Sequence, residues 1–168
     1  VVTSYKYDNG YYDRELKEFL GFGTVTTISS DTVQTDEYYN REYYSKGCIK
    51  NSTVKDLSKN ILSVQETVLN EAPYALVKKE TVKNYENGKY LTVNTEYEYD
   101  NFGNCEKLTQ DFGDGKKLVA DISYAEITDK YIMGLPYDIT VTGSNGVLRH
   151  RWGKYDENGQ LEELHQYY

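Results

Sequence analysis

The chain has 168 residues, of which 38% are apolar and 19 are tyrosine, and its formal net charge is −8. This length suits one domain with a core of its own, and the acidic charge argues against a nucleic-acid partner. No apolar run reaches the roughly 18 residues that a membrane-spanning helix needs. The tyrosine rings can pack while their hydroxyls stay in water, so a folded chain is expected despite the mean hydropathy of −0.76.

The first predicted elements are two strands near the N-terminus. Asn9-Gly10 predicts the first hairpin turn, because both residue types tolerate the positive φ angles of tight turns. In residues 13–20, the spacing of Leu16, Phe19 and Leu20 leaves a strand and a short helix open. The strand is preferred, since eight residues are few for an isolated helix.

Alternation of apolar and polar residues predicts most of the remaining strands. In residues 91–99, Leu91, Val93, Tyr97 and Tyr99 fall on one face, and polar residues fall on the other. This period of two is typical of half-buried antiparallel strands. Three further segments alternate in the same way: residues 62–68, 118–124 and 137–142.

Turn dipeptides separate these segments. They are Asn87-Gly88, Asp114-Gly115, Asn145-Gly146 and Asn158-Gly159, besides Asn9-Gly10. Each predicts a tight hairpin turn of a primed type. We therefore predict an all-β fold of at least eight antiparallel strands in a meander, with very little helix.

A longer pattern occurs twice without a gap, in residues 97–110 and 153–166. The matched turn residues are Tyr99 and Tyr155, Asp100 and Asp156, and Gly103 and Gly159, with Asn104 closing the first copy. An aromatic residue ends the incoming strand, Asp binds the backbone of its own turn, and Gly takes the strained position. A shorter copy is Tyr7-Asp8-Asn9-Gly10. The repeat predicts one curled sheet of hairpins over residues 1–168.

These motifs resemble those of a known family. YDNFGN (residues 99–104) and YDENGQ (residues 155–160) resemble the tyrosine–aspartate repeat of RHS/YD-repeat proteins. The segments GYYDRELKEFLGFGTV (residues 10–25) and YIMGLP followed by DITVT (residues 131–142) are similar to parts of the cocoon-forming components of bacterial insecticidal toxin complexes.

The resemblance implies a structural role without catalysis. In that family, arrays of such hairpins form a hollow β-shell around a C-terminal toxin or effector, and the proteins are secreted or lie on the bacterial cell surface. This chain would be one segment of such a shell, with neighbouring repeats and the toxin region as partners. The family's self-cleaving region carries an Asp-Pro pair that this sequence lacks, so cleavage is not carried over.

No pattern points to a catalytic site, a metal site or a cofactor. Cys48 and Cys105 are 57 residues apart and stand outside any Cys/His cluster, which excludes a structural zinc site. We interpret them as two small hydrophobic residues, with a disulfide as the alternative. Glu162 and Glu163 point to opposite strand faces, so they cannot act as a glycosidase pair.

Two further hypotheses concern binding. The exposed aromatic residues Tyr38, Tyr39, Tyr43, Tyr44 and Trp152 could stack on a glycan, which makes a carbohydrate- or surface-binding module the alternative function. Aromatic pairs across strands are the other interpretation of the same residues. The strand-like ends, residues 1–5 and 161–168, predict weak self-association through unpaired edges.

Overall fold

The computed structural model describes residues 2–70 and 75–167, and these residues form twelve β strands. The strands are antiparallel and lie in the sheet in chain order, from β1 to β12. About 70% of the described residues are in strands, and a single 3-10 turn at Thr128–Lys130 is the one helical element among them. The prediction of an all-β antiparallel meander is therefore confirmed.

The chain divides into two compact units, residues 1–93 and residues 94–168. The first contains β1 (Ser4–Asp13), β2 (Glu18–Ile28), β3 (Thr32–Tyr38), β4 (Ile49–Asp56), β5 (Ile61–Leu69), β6 (Val77–Glu86) and the start of β7 (Lys89–Tyr99). From β1 to β6, each strand pairs with the next. The single-segment organisation predicted for residues 1–168 stays a prediction.

The second unit contains the end of β7 and five further strands. These are β8 (Cys105–Asp111), β9 (Lys117–Ile127), β10 (Ile132–Gly143), β11 (Gly146–Tyr155) and β12 (Leu161–Tyr167). Each strand from β7 to β12 pairs with the next. The strand-like C-terminal end is therefore β12, apart from residue 168, which lies outside the described residues, as does residue 1.

The two faces of the second unit differ, as the alternation predicts. Residues that are directly opposite across antiparallel strands lie on the same face. One such row crosses from β7 to β10 and reads Tyr97, Leu108, Ala120, Val141. The next row, on the opposite face, reads Glu98, Lys107, Asp121, Thr140. In these two rows, one face is thus apolar and the other is charged or polar.

Very few side chains are fully buried. Within the described residues, Leu20, at 3% exposure, is the one buried apolar side chain. Buried polar residues include Asp36, whose carboxylate accepts a hydrogen bond from Ser52 Oγ (2.6 Å) and two from the Gln34 amide (3.0 Å each). Strand pairing and such polar contacts therefore carry much of the fold's stability.

The primed-turn prediction is right for two dipeptides and wrong for two others. Both residues of Asn87-Gly88 and of Asp114-Gly115 have positive φ, between 50° and 74°. At Asn145-Gly146 and Asn158-Gly159 only the glycine does, with φ of 113° and 79°. The physical reason is that these turns are of a different type. Two residues with negative φ are followed by one residue with positive φ, and glycine suits that third position.

Asn9-Gly10 is not a hairpin turn, so the repeat turn predicted at Tyr7, Asp8 and Gly10 is wrong. All these residues lie inside β1, and the pairing register with β2 shifts between Gly10 and Tyr12. Asn9 has φ of 57° next to this irregularity. Asparagine with a positive φ followed by glycine suits a bulged strand as well as a turn, so the dipeptide alone does not distinguish the two.

The first turn lies four residues later, in the segment where a strand was preferred. Residues 14–17 form it, between β1 and β2. The Asp13 carboxylate accepts hydrogen bonds from the backbone N–H groups of Glu15 (2.8 Å) and Leu16 (2.9 Å), and Lys17 has φ of 54°. The strand prediction for residues 13–20 is therefore wrong in its middle, because the Asp13 side chain competes successfully for the backbone donors.

Candidate functional site

The turn at Asp100 is built around one carboxylate. Asp100 Oδ1 accepts hydrogen bonds from the backbone N–H groups of Phe102 (2.8 Å) and Asn104 (2.9 Å), and Oδ2 accepts one from Asn104 Nδ2 (2.8 Å). The backbone closes the loop, because Asp100 N–H donates to Asn104 O (2.9 Å) and Gly103 N–H donates to Asp100 O (3.2 Å). Gly103 has φ of 87°, which favours glycine.

The turn at Asp156 repeats this geometry. Its Oδ1 accepts from the backbone N–H groups of Asn158 (2.8 Å) and Gln160 (2.7 Å). Asp156 N–H donates to Gln160 O (2.9 Å), Gly159 N–H donates to Asp156 O (3.1 Å), and Gly159 has φ of 79°. The repeat seen in the sequence thus corresponds to one structural unit.

The strands around both turns share the same irregularity. Tyr99 pairs with Cys105 and Tyr155 with Leu161, whereas the residue before each tyrosine pairs one position further out than regular pairing requires. One residue of the outgoing strand is therefore left over in each copy, which is a β-bulge. The tyrosines occupy equivalent register positions next to their turns.

A third copy of the turn lies between β4 and β5 in the first unit, at a place where sequence reasoning predicted no copy. Asp56 Oδ1 accepts from Asn60 N–H (2.8 Å) and Oδ2 from Asn60 Nδ2 (2.8 Å). Asp56 N–H donates to Asn60 O and Lys59 N–H to Asp56 O, both at 3.0 Å. Lys55 pairs with Ile61 across the same bulge.

This third copy lacks the two residues that make the others visible. Lys55 stands in the place of the tyrosine, and Lys59, with φ of 70°, stands in the place of the glycine. The signal that remains is an Asp followed four residues later by Asn, present at Asp56-Asn60 and at Asp100-Asn104. The same spacing also occurs at Asp36-Asn40, where Asp36 lies inside β3, so it finds the third copy together with one false match.

Residues 131–136 contact both repeat turns of the second unit, those at Asp100 and Asp156. Met133 O accepts a hydrogen bond from Asn104 Nδ2 (2.5 Å), and a Cβ on Gly134 would approach Asn104 Oδ1 to 2.9 Å. On the other side, a Cβ on Gly159 would lie 3.2 Å from Ile132 and 3.3 Å from Leu135. The motifs that carried the family resemblance in this unit therefore meet in one place.

The turn carboxylates are held in their charged form. The pKa of Asp56 is lowered by the side-chain hydrogen bond from Asn60 and then by the Asn60 N–H. For Asp100, partial burial raises the pKa, but the hydrogen bonds from Asn104, Phe102 and Gly103 outweigh burial and the net pKa is lowered. The Gln160 N–H is the largest cause of the lowered pKa of Asp156. A charged acceptor strengthens each of these bonds.

The two repeat tyrosines use their side chains within the sheet. The Tyr155 hydroxyl donates to Pro136 O (3.0 Å). The Tyr99 ring stacks on Tyr97, with 6.3 Å between centroids and 15° between planes, and burial, then the nearby Cys105 and Tyr97, raises the pKa of Tyr99. That both rings point to the same side of their hairpins stays a prediction.

The tyrosines proposed for glycan stacking do not form one platform. Tyr38 ends β3, and its pKa is raised by burial and then by the charge of Asp36. The Tyr39 hydroxyl donates to Thr67 O (3.1 Å). Tyr43 and Tyr44 contact each other edge-to-face, with centroids 5.4 Å apart, in the loop that follows β3.

That loop is fastened to the first two strands. Asn40, 5% exposed, donates from Nδ2 to the carbonyl oxygens of Asn9 (2.9 Å) and Gly21 (3.2 Å). The Arg41 guanidinium lies 4.3 Å from the centroid of the Tyr11 ring. The irregular pairing of β1 and β2 therefore has a role that the sequence did not reveal, because it leaves carbonyl groups for Asn40.

Trp152 and the two histidines lie together on β11 and β12. The Trp152 ring contacts His165 (centroids 5.2 Å apart). His150 stacks on Tyr167 (5.7 Å) and its Nε2 lies 2.8 Å from Asp138 Oδ2. These are cross-strand aromatic contacts of the kind that hold sheets together.

The chemistry of the remaining titratable groups is sparse. In residues 2–70 and 75–167, no group of three or more His, Cys, Asp or Glu side chains is placed to hold a metal ion. Cys48 and Cys105 are both free thiols and partly buried, and burial is the largest cause of the raised pKa of Cys105. The described residues contain no helix that is long and apolar enough to span a membrane.

One family model matches the N-terminal third of the chain. The family model described as "Insecticide toxin TcdB middle/N-terminal region" matches residues 1–52, about a third of the chain. This range includes the segment of residues 10–25 that carried part of the resemblance. No curated protein matches the chain.

Solved structures match nearly the whole chain in fold. The structure titled "Crystal Structure of TcdB2-TccC3 without hypervariable C-terminal region" matches with a TM-score of 0.72 and 11% identity over 98% of this chain. "Crystal Structure of TcdB2-TccC3" matches with the same TM-score and identity over 96%. The chain spans 15% of the length of each of these structures. The predicted resemblance to the shell components of insecticidal toxin complexes is therefore confirmed.

Proposed function

We propose that the chain is a non-catalytic structural segment of a secreted or surface bacterial RHS/YD-repeat protein, whose β-shell encloses or presents a C-terminal toxin or effector. The observation that carries this proposal is the threefold Asp-anchored turn. In all three copies the aspartate side chain holds its own hairpin turn in place by accepting backbone hydrogen bonds, at Asp56, Asp100 and Asp156. The fold match to TcdB2-TccC3 supports the same role.

The burial of side chains is also what a shell wall requires. A free-standing domain of this length normally buries many large apolar residues, whereas Leu20 alone does so among the described residues. In the second unit, one row of residues across β7 to β10 is apolar and the neighbouring row, on the opposite face, is charged or polar. Neighbouring repeats and the enclosed polypeptide are the partners that we propose for these surfaces.

Protection of the C-terminal region from protease tests this function. In the full-length parent protein, the region downstream of the repeats should resist a protease that digests the same region expressed alone. Asp100→Ala combined with Asp156→Ala should weaken this protection, because the two turns that residues 131–136 contact lose their anchors. Asp31→Ala is the matched control, since within residues 2–70 and 75–167 the Asp31 carboxylate accepts hydrogen bonds only from side-chain hydroxyls in an exposed loop. Equal digestion of the region with and without the shell contradicts the proposal.

Glycan binding receives no support from the arrangement of the tyrosines, so we do not propose it.

The predicted weak self-association remains part of the proposal for the excised segment, because β1 and β12 have a neighbour on one side only within the described residues. Sedimentation at low and high salt measures it. We expect more association at high salt, because screening weakens the repulsion between chains of charge −8.

A further inference from the structure

The dipeptide Asn-Gly, which can react with itself, occurs four times in the chain. The sites are Asn9-Gly10, Asn87-Gly88, Asn145-Gly146 and Asn158-Gly159. The backbone nitrogen of the glycine can attack the side-chain amide carbon of the asparagine, and glycine has no Cβ that would hinder this approach. Because the four sites share both residues, a difference in their reactivity in the folded chain has to come mainly from the structure around them.

The Asn158-Gly159 site is held at both reacting groups. Asn158 Oδ1 accepts a hydrogen bond from Lys130 Nζ (2.7 Å), which fixes the amide. The Gly159 N–H, whose nitrogen would have to attack, donates to Asp156 O (3.1 Å). The backbone is also enclosed, because a Cβ on Gly159 would lie 3.2 Å from Ile132. The reaction therefore requires the turn at Asp156 to open first.

The Asn9-Gly10 site lies inside a strand. Gly10 belongs to β1 and pairs with Phe22 of β2. Asn9 Nδ2 donates to Thr24 Oγ1 (3.2 Å), and Asn9 O accepts a hydrogen bond from Asn40 Nδ2 (2.9 Å). Strand pairing and these two hydrogen bonds oppose the rotation that would bring the Gly10 nitrogen to the amide carbon of Asn9.

The Asn145-Gly146 site is exposed, but its glycine already belongs to a strand. Gly146 begins β11 and pairs with Gly143 of β10. Turning the Gly146 nitrogen toward the Asn145 side chain would break the pair that closes this hairpin. The reaction at this site therefore also requires local opening of the sheet.

The Asn87-Gly88 site is not restrained in any of these ways within the described part of the chain. Both residues form the turn between β6 and β7, and both are exposed. In residues 2–70 and 75–167, neither the Asn87 amide nor the Gly88 N–H makes a hydrogen bond, and a Cβ on Gly88 would meet no atom within 4 Å beyond its chain neighbours. Asn87 also lines an open surface depression, so water reaches its side chain.

We propose that Asn87 is a site of spontaneous deamidation in the folded chain and reacts before the other three asparagines. The Gly88 nitrogen attacks Asn87 Cγ and loses its proton, and the amide nitrogen leaves as ammonia, which closes a succinimide ring. Water then adds to either ring carbonyl, and ring opening gives aspartate or isoaspartate without any oxidant or reductant. The product carries one additional negative charge at neutral pH. This proposal does not depend on the proposed shell function.

The turn conformation does not protect Asn87 against this reaction. Asn87 has φ of 50°, which is unfavourable for a residue with a Cβ. Leaving this conformation to reach the succinimide geometry therefore costs little. At the other three sites the same rotation also breaks a hydrogen bond or a strand pair, so we expect the reaction there to be at least about fivefold slower.

Peptide mapping of the intact 168-residue chain tests the proposal. Trypsin places the four sites in separate peptides, which are residues 7–14, 84–89, 131–149 and 155–168. Incubation of the folded chain in H₂¹⁸O at mildly alkaline pH labels each carboxylate that forms, and mass spectrometry after digestion in ordinary water measures the label. We expect peptide 84–89 to gain label about fivefold faster than each of the others. Equal rates, or a faster rate in another peptide, would overturn the proposal.

Two controls separate the fold from the local sequence. The tripeptide Glu-Asn-Gly occurs at residues 86–88 and again at residues 157–159, so these two sites should react at similar rates in urea and differ only in the folded chain. A preference for peptide 84–89 that persists in urea would overturn the structural argument. Asn87→Gln should abolish labelling of this peptide, and remaining label would assign the reaction to Asn84 instead and refute the site.

Discussion

The turns at Asp56 and Asp156 have the same backbone hydrogen bonds and the same bulge, although they share few residues. Tyr155 directly precedes Asp156, and Gly159 lies three residues after it. Lys55 and Lys59 hold the same two positions around Asp56. The common element is a carboxylate that accepts the N–H of the residue four positions later (2.8 Å and 2.7 Å). The aspartate therefore determines the turn, and the aromatic residue and the glycine adapt it to its surroundings.

The largest loss of stability is expected at Gly159, which has side chains packed around it. Gly159→Val places a β-branched residue at φ of 79° and brings its Cβ within 3.2 Å of Ile132 and 3.3 Å of Leu135. We expect a loss of about 3 kcal/mol in the free energy of unfolding, measured by urea denaturation. A loss below about 1 kcal/mol would contradict the claim that the glycine is required there.

The next largest effect is expected from the carboxylates themselves. Asp156→Ala and Asp56→Ala remove the acceptor for backbone N–H groups, so each should lower the free energy of unfolding. The two losses should be similar, because the turns share this acceptor. If Asp56→Ala is neutral while Asp156→Ala is not, the Asp56 turn is not a copy of the other. Asp31→Ala serves as the control and should change stability little.

A smaller effect, of opposite sign, is expected at Lys59. Its φ of 70° is unfavourable for a residue with a side chain, so Lys59→Gly should relieve strain. Part of the gain is lost because glycine has more freedom in the unfolded chain. We expect a net stabilisation of about 0.5 kcal/mol in the same urea experiment. Destabilisation would show that Lys59 contributes contacts that the geometry does not reveal.

Acid should affect all three turns together. The pKa values of Asp56, Asp100 and Asp156 are lowered from 3.8 in the folded chain. Each group therefore adds stability that is fully present above its unfolded pKa and is lost as the pH falls through its lower folded pKa. Urea midpoints should be steady between pH 6 and pH 5 and fall below pH 4. The triple Asp→Asn variant should show a smaller fall, and an equal fall would contradict this assignment.

The sequence predicts the hairpins better than it predicts where each turn lies. Alternation gave the strands around residues 91–99 and 137–142, and both residues of Asn87-Gly88 adopt the expected positive φ. Asn9-Gly10 misled, because the same dipeptide is stable in a bulged strand. The Asp13 turn was not predicted, since its signal is an aspartate that binds two backbone N–H groups rather than a glycine.

The residues of the candidate site also fall into those that the sequence predicts and those that it does not. Asp100 and Asp156 were predicted, because tyrosine and glycine mark their turns. Asp56 was missed, because its turn keeps only the aspartate and the asparagine that closes it. The contact of residues 131–136 with both turns and the role of Asn40 depend on pairing between distant strands. Local sequence carries no signal for such contacts.

Amide hydrogen exchange at three residues tests the central claim, that the chain repeats one Asp-anchored turn, most directly. The backbone N–H groups of Asn60, Asn104 and Gln160 donate to the carboxylates of Asp56, Asp100 and Asp156 (2.8, 2.9 and 2.7 Å). We expect all three to exchange more slowly than in the unfolded chain, and each to lose its protection only when its own aspartate is replaced by alanine. Exchange of Asn60 at the unfolded rate, beside protected Asn104 and Gln160, would contradict the claim.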